Sequence, residues 1–228
     1  MEYKRVQVLA KETMDALSRE IRPGMTLRDV RRFCEEKMLS LGADSFWYWD
    51  VGAFVFAGEE TAVSVSGREY ETSDRVIHAD DIVTVDLSPQ IGNIWGDYAR
   101  TLILQDGVCI LPEAVRNPEW KQGLLLERAL HEEFCRFAAP ETTFEAVYTH
   151  MNLVIEEAGF VNLDFAGNLG HSIVRRKEDR VYTEKGNALP LGAVEYFTFE
   201  PHIARPGSVF GYKREDIYYF KDGVLCKL

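Results

Sequence analysis

Apolar residues recur at helical spacing at the start of the chain. Over residues 2–21 they stand at Val6, Leu9, Ala10, Met14, Leu17 and Ile21. This spacing predicts an amphipathic helix with one buried face. A second helix follows, because Thr26 with Asp29 three positions later is typical of a capped helix start, and Gly42 marks its end.

Strand-like patterning follows, and then the same order of elements repeats. Between Ser45 and Leu104 the chain is rich in β-branched and aromatic residues, with turn signals at Gly58-Glu59-Glu60, Ser66-Gly67 and Ile91-Gly92. Helical patterning resumes over residues 112–138 and 143–159, and strands return from Gly170 to the end. Two helices followed by strands, twice over, indicate a duplication.

Residues at the helix boundaries support this duplication. Pro23, Thr26, Leu27, Val30 and Gly42 align with Pro140, Thr143, Phe144, Val147 and Gly159. We therefore predict one α+β domain over residues 1–228, with pseudo-twofold halves of about 1–110 and 111–228. Curved antiparallel sheet would lie inside and the helices outside.

Charge and composition exclude several classes of protein. The formal net charge of -11 argues against nucleic acid or an anionic membrane as a partner, since both attract basic surfaces. No apolar run approaches the length of a membrane span, and the N-terminus lacks the apolar core of a signal peptide. The four cysteines have no metal-site or disulfide spacing, so we expect a cytoplasmic protein.

The first pair of noteworthy acids is Asp86 and Asp97, which flank the predicted turn at Ile91-Gly92. A hairpin centred on that turn would place Asp86 directly opposite Asp97. Like charges in facing positions destabilise a sheet. The pair therefore needs a compensating partner.

A second pair, Glu200 and Glu215, flanks the turn signal that follows Pro206. A hairpin turning between Gly207 and Ser208 would oppose these two carboxylates as well. Close carboxylates stay ionised only beside a cation, and the alternative is that one of them takes up a proton.

A metal centre accounts for both pairs. Four carboxylates and one imidazole, for which His171 after Gly170 is the best candidate, could hold two divalent ions. Such ligands favour manganese, iron(II) or cobalt, with zinc as a further candidate. Each acid alone has an ordinary interpretation as a solvated side chain, and His171 alone as a structural histidine. Their combination favours the metal centre.

Four stretches carry these residues: VDLSPQIGNIWGDYARTL, GHSI, FTFEPHI and GYKREDI. In this order they resemble the signatures of the pita-bread metallopeptidases of family M24, the group of methionine aminopeptidases and Xaa-Pro peptidases. The resemblance extends from the first helix to Leu228. It implies the pita-bread fold and the catalytic domain alone, without the extra N-terminal domain of the larger Xaa-Pro peptidases.

The resemblance also implies roles for individual residues. The five implied metal ligands are Asp86, Asp97, His171, Glu200 and Glu215. Asp86 would chelate one ion, Asp97 and Glu215 would bridge the two, and the remaining ligands would complete the second. Glu200 would also pass a proton from a metal-activated water to the leaving amine.

Other positions of the family pattern are kept or changed. Arg100 and Thr101 match the motif Asp-x-x-Arg-Thr and would support the Asp97 strand. Ser172 replaces the glycine that usually follows the ligand histidine, and Glu178 stands where a second histidine is usual. The loop GREYETSDRV also lacks the family's proton-donating histidine. Peptide hydrolysis is therefore less firmly implied than metal binding.

Three residues are candidates to replace the missing histidines. His202 could share a strand face with Glu200, although Pro201 interrupts the alternation, and we predict a catalytic role for it. Glu178 is a second catalytic candidate, with a solvated position in the run RRKEDR as the alternative. His78 is a candidate for substrate binding, with a surface turn as the alternative.

The stretch FWYWDVGAFVFAG precedes the Asp86 strand, in a region that lines the specificity pocket in this family. Trp47 and Trp49 are therefore candidates to bind an apolar or proline-like group, with core packing as the alternative. A group of basic residues could meet a substrate carboxylate or a second subunit of a homodimer: Arg175, Arg176, Lys177 and Arg180.

The leading hypothesis is a dinuclear-metal hydrolase of C–N bonds, an aminopeptidase or dipeptidase of the Xaa-Pro type acting on a small peptide. One alternative is a hydrolase or lyase that uses the same metals on a small non-peptide substrate. Another is a non-catalytic binding protein with the same fold. Retention of all five implied ligands argues against this last alternative.

Overall fold

The computed structural model describes residues 2–228. Its α-helices, α1 to α4, span Glu2–Glu20, Leu27–Ser40, Pro118–Phe137 and Phe144–Glu157. Its strands, β1 to β14, span Ser45–Phe46, Ala53–Ala57, Asp81–Leu87, Pro89–Ile91, Ile94–Trp95, Tyr98–Gln105, Val108–Ile110, Val161–Asn162, Ser172–Ile173, Tyr196–Phe199, His202–Ala204, Gly211–Lys213, Asp216–Lys221 and Val224–Lys227. The predicted α+β class is confirmed.

The helix boundaries follow the predicted capping residues. At the start of α2, the Thr26 hydroxyl accepts from the Asp29 N–H at 3.1 Å, and an Asp29 carboxylate oxygen accepts from the Thr26 N–H at 2.9 Å. Thr143 caps α4 through its own hydroxyl. Gly42 and Gly159 follow the two helices with φ of 108° and 76°, values that favour glycine. Both helices therefore begin and end by the same local rules.

The strands repeat the same arrangement in each half. One antiparallel sheet has the order β2-β3-β6-β7, and the other has the order β9-β10-β13-β14. The last hairpin of each sheet turns on an Asp-Gly pair in the left-handed region, Asp106-Gly107 and Asp222-Gly223. Two smaller sheets, β1-β4-β5 and β8-β11-β12, complete the structure. The two large sheets therefore have the same strand order, as the predicted duplication requires.

The helices of each half pack on the sheet of the same half. Leu17 and Met38, from α1 and α2, are fully buried in one cluster with Val85 of β3. Phe134 of α3 stacks on Phe199 of β10, with ring centroids 4.4 Å apart, in the corresponding cluster. Among residues 2–228, no helix is both long and apolar enough to cross a bilayer.

The first hairpin differs from the prediction. Ile91 pairs with Ile94, so the turn consists of Gly92 and Asn93 rather than Ile91 and Gly92. The first turn residue, Gly92, has a φ of 60°. The predicted turn would have placed Ile91 in that position, and a positive φ is unfavourable for a β-branched residue. The register therefore shifts by two residues, and Asp86 faces Ala99. The predicted opposition of Asp86 and Asp97 is wrong.

The second hairpin follows its predicted register. Phe199 faces Asp216 and His202 faces Lys213, on the two sides of the second acid pair. Continuing this register places Glu200 opposite Glu215. The two halves therefore arrange their acids differently.

Candidate metal centre

The predicted ligands gather around one cavity of about 360 Å³. Four of them line it: Asp86, Asp97, His171 and Glu200. The fifth, Glu215, is completely buried beside them. Strand ends and the segments next to them supply all five, so the site depends on how the two sheets meet.

Three of these side chains converge closely. Asp97, His171 and Glu215 each present a ligand atom, and these atoms lie within 4.8 Å of one another. Both carboxylate oxygens of Glu215 lack a hydrogen-bond partner. An unpartnered buried carboxylate is costly, and a divalent cation would remove that cost. The three side chains therefore fit a metal ion.

Burial and mutual repulsion perturb these acids. Burial, together with the charges of Asp86 and Glu200, raises the pKa of Asp97 to about 7 against the opposing effect of His171. Burial and the charge of Asp97 hold the pKa of Glu215 well above its ordinary value. Near neutral pH the metal-free centre therefore retains protons, which a divalent cation must displace.

Close packing at Gly170 and two hydrogen bonds position His171. Gly170 has a φ of 141°, and a Cβ there would lie 2.5 Å from the carbonyl oxygen of Thr198. The His171 N–H donates to the Thr198 hydroxyl at 2.9 Å, and Nδ1 lies 3.1 Å from the Ser172 carbonyl oxygen. Because that carbonyl can only accept, Nδ1 carries the proton and Nε2 is free to bind a metal. Nε2 lies 3.6 Å from both Asp97 Oδ2 and Glu200 Oε1.

A buried glutamine of α1 holds the peptide of Asp97. Gln7 Nε2 donates to the Asp97 carbonyl at 2.7 Å, and Gln7 Oε1 accepts from the Asp97 N–H at 3.3 Å. Gln7 is not among the site residues predicted from the sequence. A polar residue next to Val6 on the apolar face of the predicted helix was the available signal.

Arg100 and Thr101 connect β6 to the other half of the chain. Arg100 Nη1 donates to the Glu215 carbonyl and Nη2 to Asp216 Oδ1, both at 2.7 Å. The Thr101 hydroxyl donates to the Lys213 carbonyl at 3.0 Å and accepts from the Lys213 N–H at 2.8 Å. These contacts fix the segment that carries Glu215 against the strand that follows Asp97.

Lys213 enters the centre and was also missed. Its Nζ lies 2.5 Å from Asp86 Oδ2 and 3.7 Å from Glu200 Oε2. Burial alone would lower the pKa of Lys213, but the neighbouring carboxylates, led by Asp86, hold this pKa well above its ordinary value. Its position two residues before the predicted ligand Glu215 was the available signal.

His202 lines the cavity but is already engaged. Its Nε2 lies 2.7 Å from the Thr61 carbonyl oxygen, so Nε2 carries the proton and donates. Burial, then the charge of Lys213, lowers the pKa of His202 to about 4. The ring is therefore neutral near pH 7, with Nδ1 as its acceptor.

Three predicted site residues lie away from the cavity. Glu178 is exposed in the short helical turn Lys177–Asp179. His78 is exposed in the irregular segment before β3, where its N–H donates to Asp81 at 2.9 Å. Trp49 is 57% exposed, because β1 ends before it and the chain turns there with a φ of 57°. The structure does not bring these residues to the site.

Trp47 does line the cavity, in an apolar wall. The wall also contains Tyr48, Phe54, Phe56, Val63 and Val65. Arg180 reaches the same cavity, with its guanidinium carbon 4.8 Å from the centre of the Trp47 ring. The cavity therefore combines an apolar wall, one guanidinium and the acidic centre.

The profile of metallopeptidase family M24 matches residues 2–222. The chain belongs to this family. The membership predicted from the four motif stretches is thus confirmed. No curated protein matches the M24 chain in sequence.

Solved structures share the fold of this M24 chain. The X-Pro aminopeptidase from Thermotoga maritima MSB8 is 20% identical, with a TM-score of 0.81 over 99% of this chain and 59% of that one. The prolidase from Pyrococcus furiosus is 19% identical, with a TM-score of 0.81 over 99% and 62%. The dipeptidase PepE from Mycobacterium ulcerans is 22% identical, with a TM-score of 0.78 over 99% and 56%. The predicted pita-bread fold is confirmed, and the M24 chain spans about three fifths of these proteins.

Proposed function

We propose that this M24 chain is a metal-dependent hydrolase that cleaves the C–N bond of short peptides, as an aminopeptidase or dipeptidase of the Xaa-Pro type. The observation that carries the proposal is the buried group of Asp97, His171 and Glu215 beside a cavity of about 360 Å³. Family membership and the names of the three structural neighbours support the peptide substrate.

The ligand set supports a hard divalent cation. Asp97, His171 and Glu215 would hold the ion, with Glu200 next to it. When bound, the ion would supply a Lewis acid that activates water and polarises a carbonyl group. Oxygen-rich ligands favour manganese, iron(II) or cobalt, with zinc as a further candidate. The resemblance implies two ions, and the proposed reaction requires at least one.

Glu200 is the proposed proton carrier. Its Oε1 accepts from the Thr198 hydroxyl at 3.0 Å, and its carboxylate faces both the cavity and His171. A carboxylate in this position can take a proton from the attacking water and return it to the leaving amine. The hydroxyl of Thr198 fixes its orientation for both transfers.

The cavity fits a small substrate with a free carboxylate. Arg180 is anchored by a hydrogen bond from Nε to the Lys177 carbonyl at 2.8 Å. Its guanidinium would pair with the terminal carboxylate of a dipeptide. Trp47 and its apolar neighbours would contact a proline-like ring. A cytoplasmic location, a homodimer and the exclusion of nucleic acid and membrane partners stay predictions.

The histidines favour a second candidate, a metal-dependent hydrolase or lyase of a small non-peptide substrate. His202 already donates to Thr61, and Glu178 lies outside the cavity. The imidazole of His202 is neutral near pH 7, because its pKa is lowered to about 4, and Glu178 has no imidazole. Neither residue therefore supplies a protonated imidazole for a tetrahedral intermediate. A substrate that needs no such donor would fit the same metal centre.

A metal and peptide assay separates these candidates. The protein is reconstituted with manganese or cobalt and assayed against dipeptides that include Met-Ala and Ala-Pro. We expect turnover that Asp97→Ala abolishes, whereas Glu156→Ala, at an exposed acid of α4, keeps it. Metal binding without peptide turnover would support the second candidate. No metal after reconstitution would contradict both and support a non-catalytic protein.

A further inference from the structure

Lys213 occupies a position where a cation is expected. Its ammonium lies 2.5 Å from Asp86 Oδ2 and 3.7 Å from Glu200 Oε2. The family resemblance implies that Asp86 chelates a metal ion. In the structure, one of its oxygens instead accepts a charge-assisted hydrogen bond from the lysine.

The fold holds this lysine in place. Lys213 is the last residue of β12 and pairs with His202. Thr101, from the other half of the chain, bonds the backbone of Lys213: its hydroxyl accepts from the Lys213 N–H and donates to the Lys213 carbonyl. Its side chain is 20% exposed, so the ammonium lies within the site rather than in open solvent.

The converging ligands leave Asp86 out. The close group contains Asp97, His171 and Glu215, each buried. Asp86 does not belong to this group. A divalent cation at Asp86 would lie beside an ammonium, and the two positive charges would repel each other.

We propose that this M24 centre holds one divalent ion at Asp97, His171 and Glu215, and that the Lys213 ammonium takes the place of a second cation beside Asp86. This inference rests on the proposed metal-dependent function. In this arrangement, one protein cation and one metal ion compensate the negative charges of four neighbouring carboxylates. Lys213 is then a built-in counterion that sets the metal stoichiometry.

The first test counts ions in the wild-type protein. The metal-free chain is titrated with Mn²⁺ by calorimetry, bound manganese is measured by elemental analysis, and the loaded protein is examined by electron paramagnetic resonance. We expect one tightly bound Mn²⁺ per chain and the six-line spectrum of an isolated ion. Two tightly bound ions with an exchange-coupled spectrum would overturn the inference.

The second test removes the ammonium. Lys213→Met keeps the length of the side chain and frees Asp86, so we expect a second Mn²⁺ per chain and a coupled spectrum. Lys213→Arg keeps the positive charge and should still bind one ion. A Lys213→Met protein that folds but binds a single ion would overturn the inference.

A third variant covers the case in which Lys213→Met fails to fold. Asp86→Asn should weaken Mn²⁺ binding by less than about tenfold, the lower end of the loss seen when a metal-supporting group is removed. A larger loss would identify Asp86 as a ligand and overturn the inference. Two ions in the wild type would leave the proposed hydrolase intact. No Mn²⁺ binding at all would overturn both proposals.

Discussion

The two halves of the chain each carry two acids beside a hairpin, but the partners of these acids differ. In the first half, Asp86 faces Ala99 and is bonded by Lys213 from the other half. In the second half, Glu200 and Glu215 take facing positions, and Glu215 has no partner for either oxygen. A duplicated fold therefore does not duplicate its chemistry. Strand register and one lysine decide which carboxylates remain free to bind a metal.

The largest expected effect comes from Glu215→Gln. We expect Mn²⁺ affinity to fall by about 100-fold or more, since the loss of a ligand exceeds the loss of its supports. We also expect the metal-free fold to gain about 1–3 kcal/mol at pH 8, because the amide has no charge to desolvate. Thermal unfolding in EDTA measures the gain, at about 2–4 °C per kcal/mol for a chain of this size.

The pH dependence of this gain has a definite sign. The folded pKa of Glu215 lies above its unfolded value, so above pH 4.5 the folded state must take up a proton or bury a charge. This cost is absent below the unfolded pKa and grows as pH rises towards the folded pKa. The advantage of Glu215→Gln should therefore be larger at pH 8 than at pH 5. An advantage that is larger at pH 5 would contradict our assignment.

The same acid-to-amide change in the first half should have the opposite sign. Asp86→Asn leaves the Lys213 ammonium without its bonded carboxylate, and we expect a loss of about 1–2 kcal/mol from the free energy of unfolding in EDTA. Urea unfolding measures it. The control is Asp74→Asn, whose partner Arg28 is largely exposed, with an expected change below about 0.5 kcal/mol. Stabilisation by Asp86→Asn would remove the contrast between the halves.

A smaller effect is expected where the halves join. Thr101→Val removes both hydrogen bonds to the backbone of Lys213 and should cost about 1 kcal/mol in urea unfolding. Thr101→Ser keeps the hydroxyl and should recover most of that loss. Equal stability of the valine and serine variants would show that these bonds do not hold the two halves together.

The smallest effect is expected from Glu178→Gln. Glu178 is exposed outside the cavity, so metal affinity should be unchanged and stability should change by less than about 0.5 kcal/mol. The measurements are manganese calorimetry and urea unfolding. A clear loss of metal affinity would show that Glu178 acts in the site, as the sequence predicted.

Local patterns predicted the helices and the second hairpin because local chemistry determines them. The threonine caps and the glycines after α2 and α4 act within a few residues of one helix end. The second hairpin turned where Pro206 and Gly207 indicated. The first hairpin differed because its turn begins at Gly92 rather than at Ile91. This change shifts the register of every residue pair between β3 and β6 by two residues.

Side-chain positions in the site were harder to predict because distant segments supply them. Lys213 and Gln7 reach the acids of the first half through contacts between segments far apart in sequence. Glu178 was aligned by spacing from His171, but the chain between them leaves the cavity. Trp47 and Trp49 share the spacing of one strand face, yet β1 ends before either of them. Spacing predicts a shared face only while the strand continues.

The proposed function depends on a metal ion held by Asp97, His171 and Glu215. Anomalous diffraction from a crystal grown with Mn²⁺ tests it most directly, with data collected where manganese scatters anomalously. We predict one strong peak within bonding distance of all three side chains, with Lys213 still bonded to Asp86. A fully loaded crystal without a peak between these three side chains would rule out the proposed metal site.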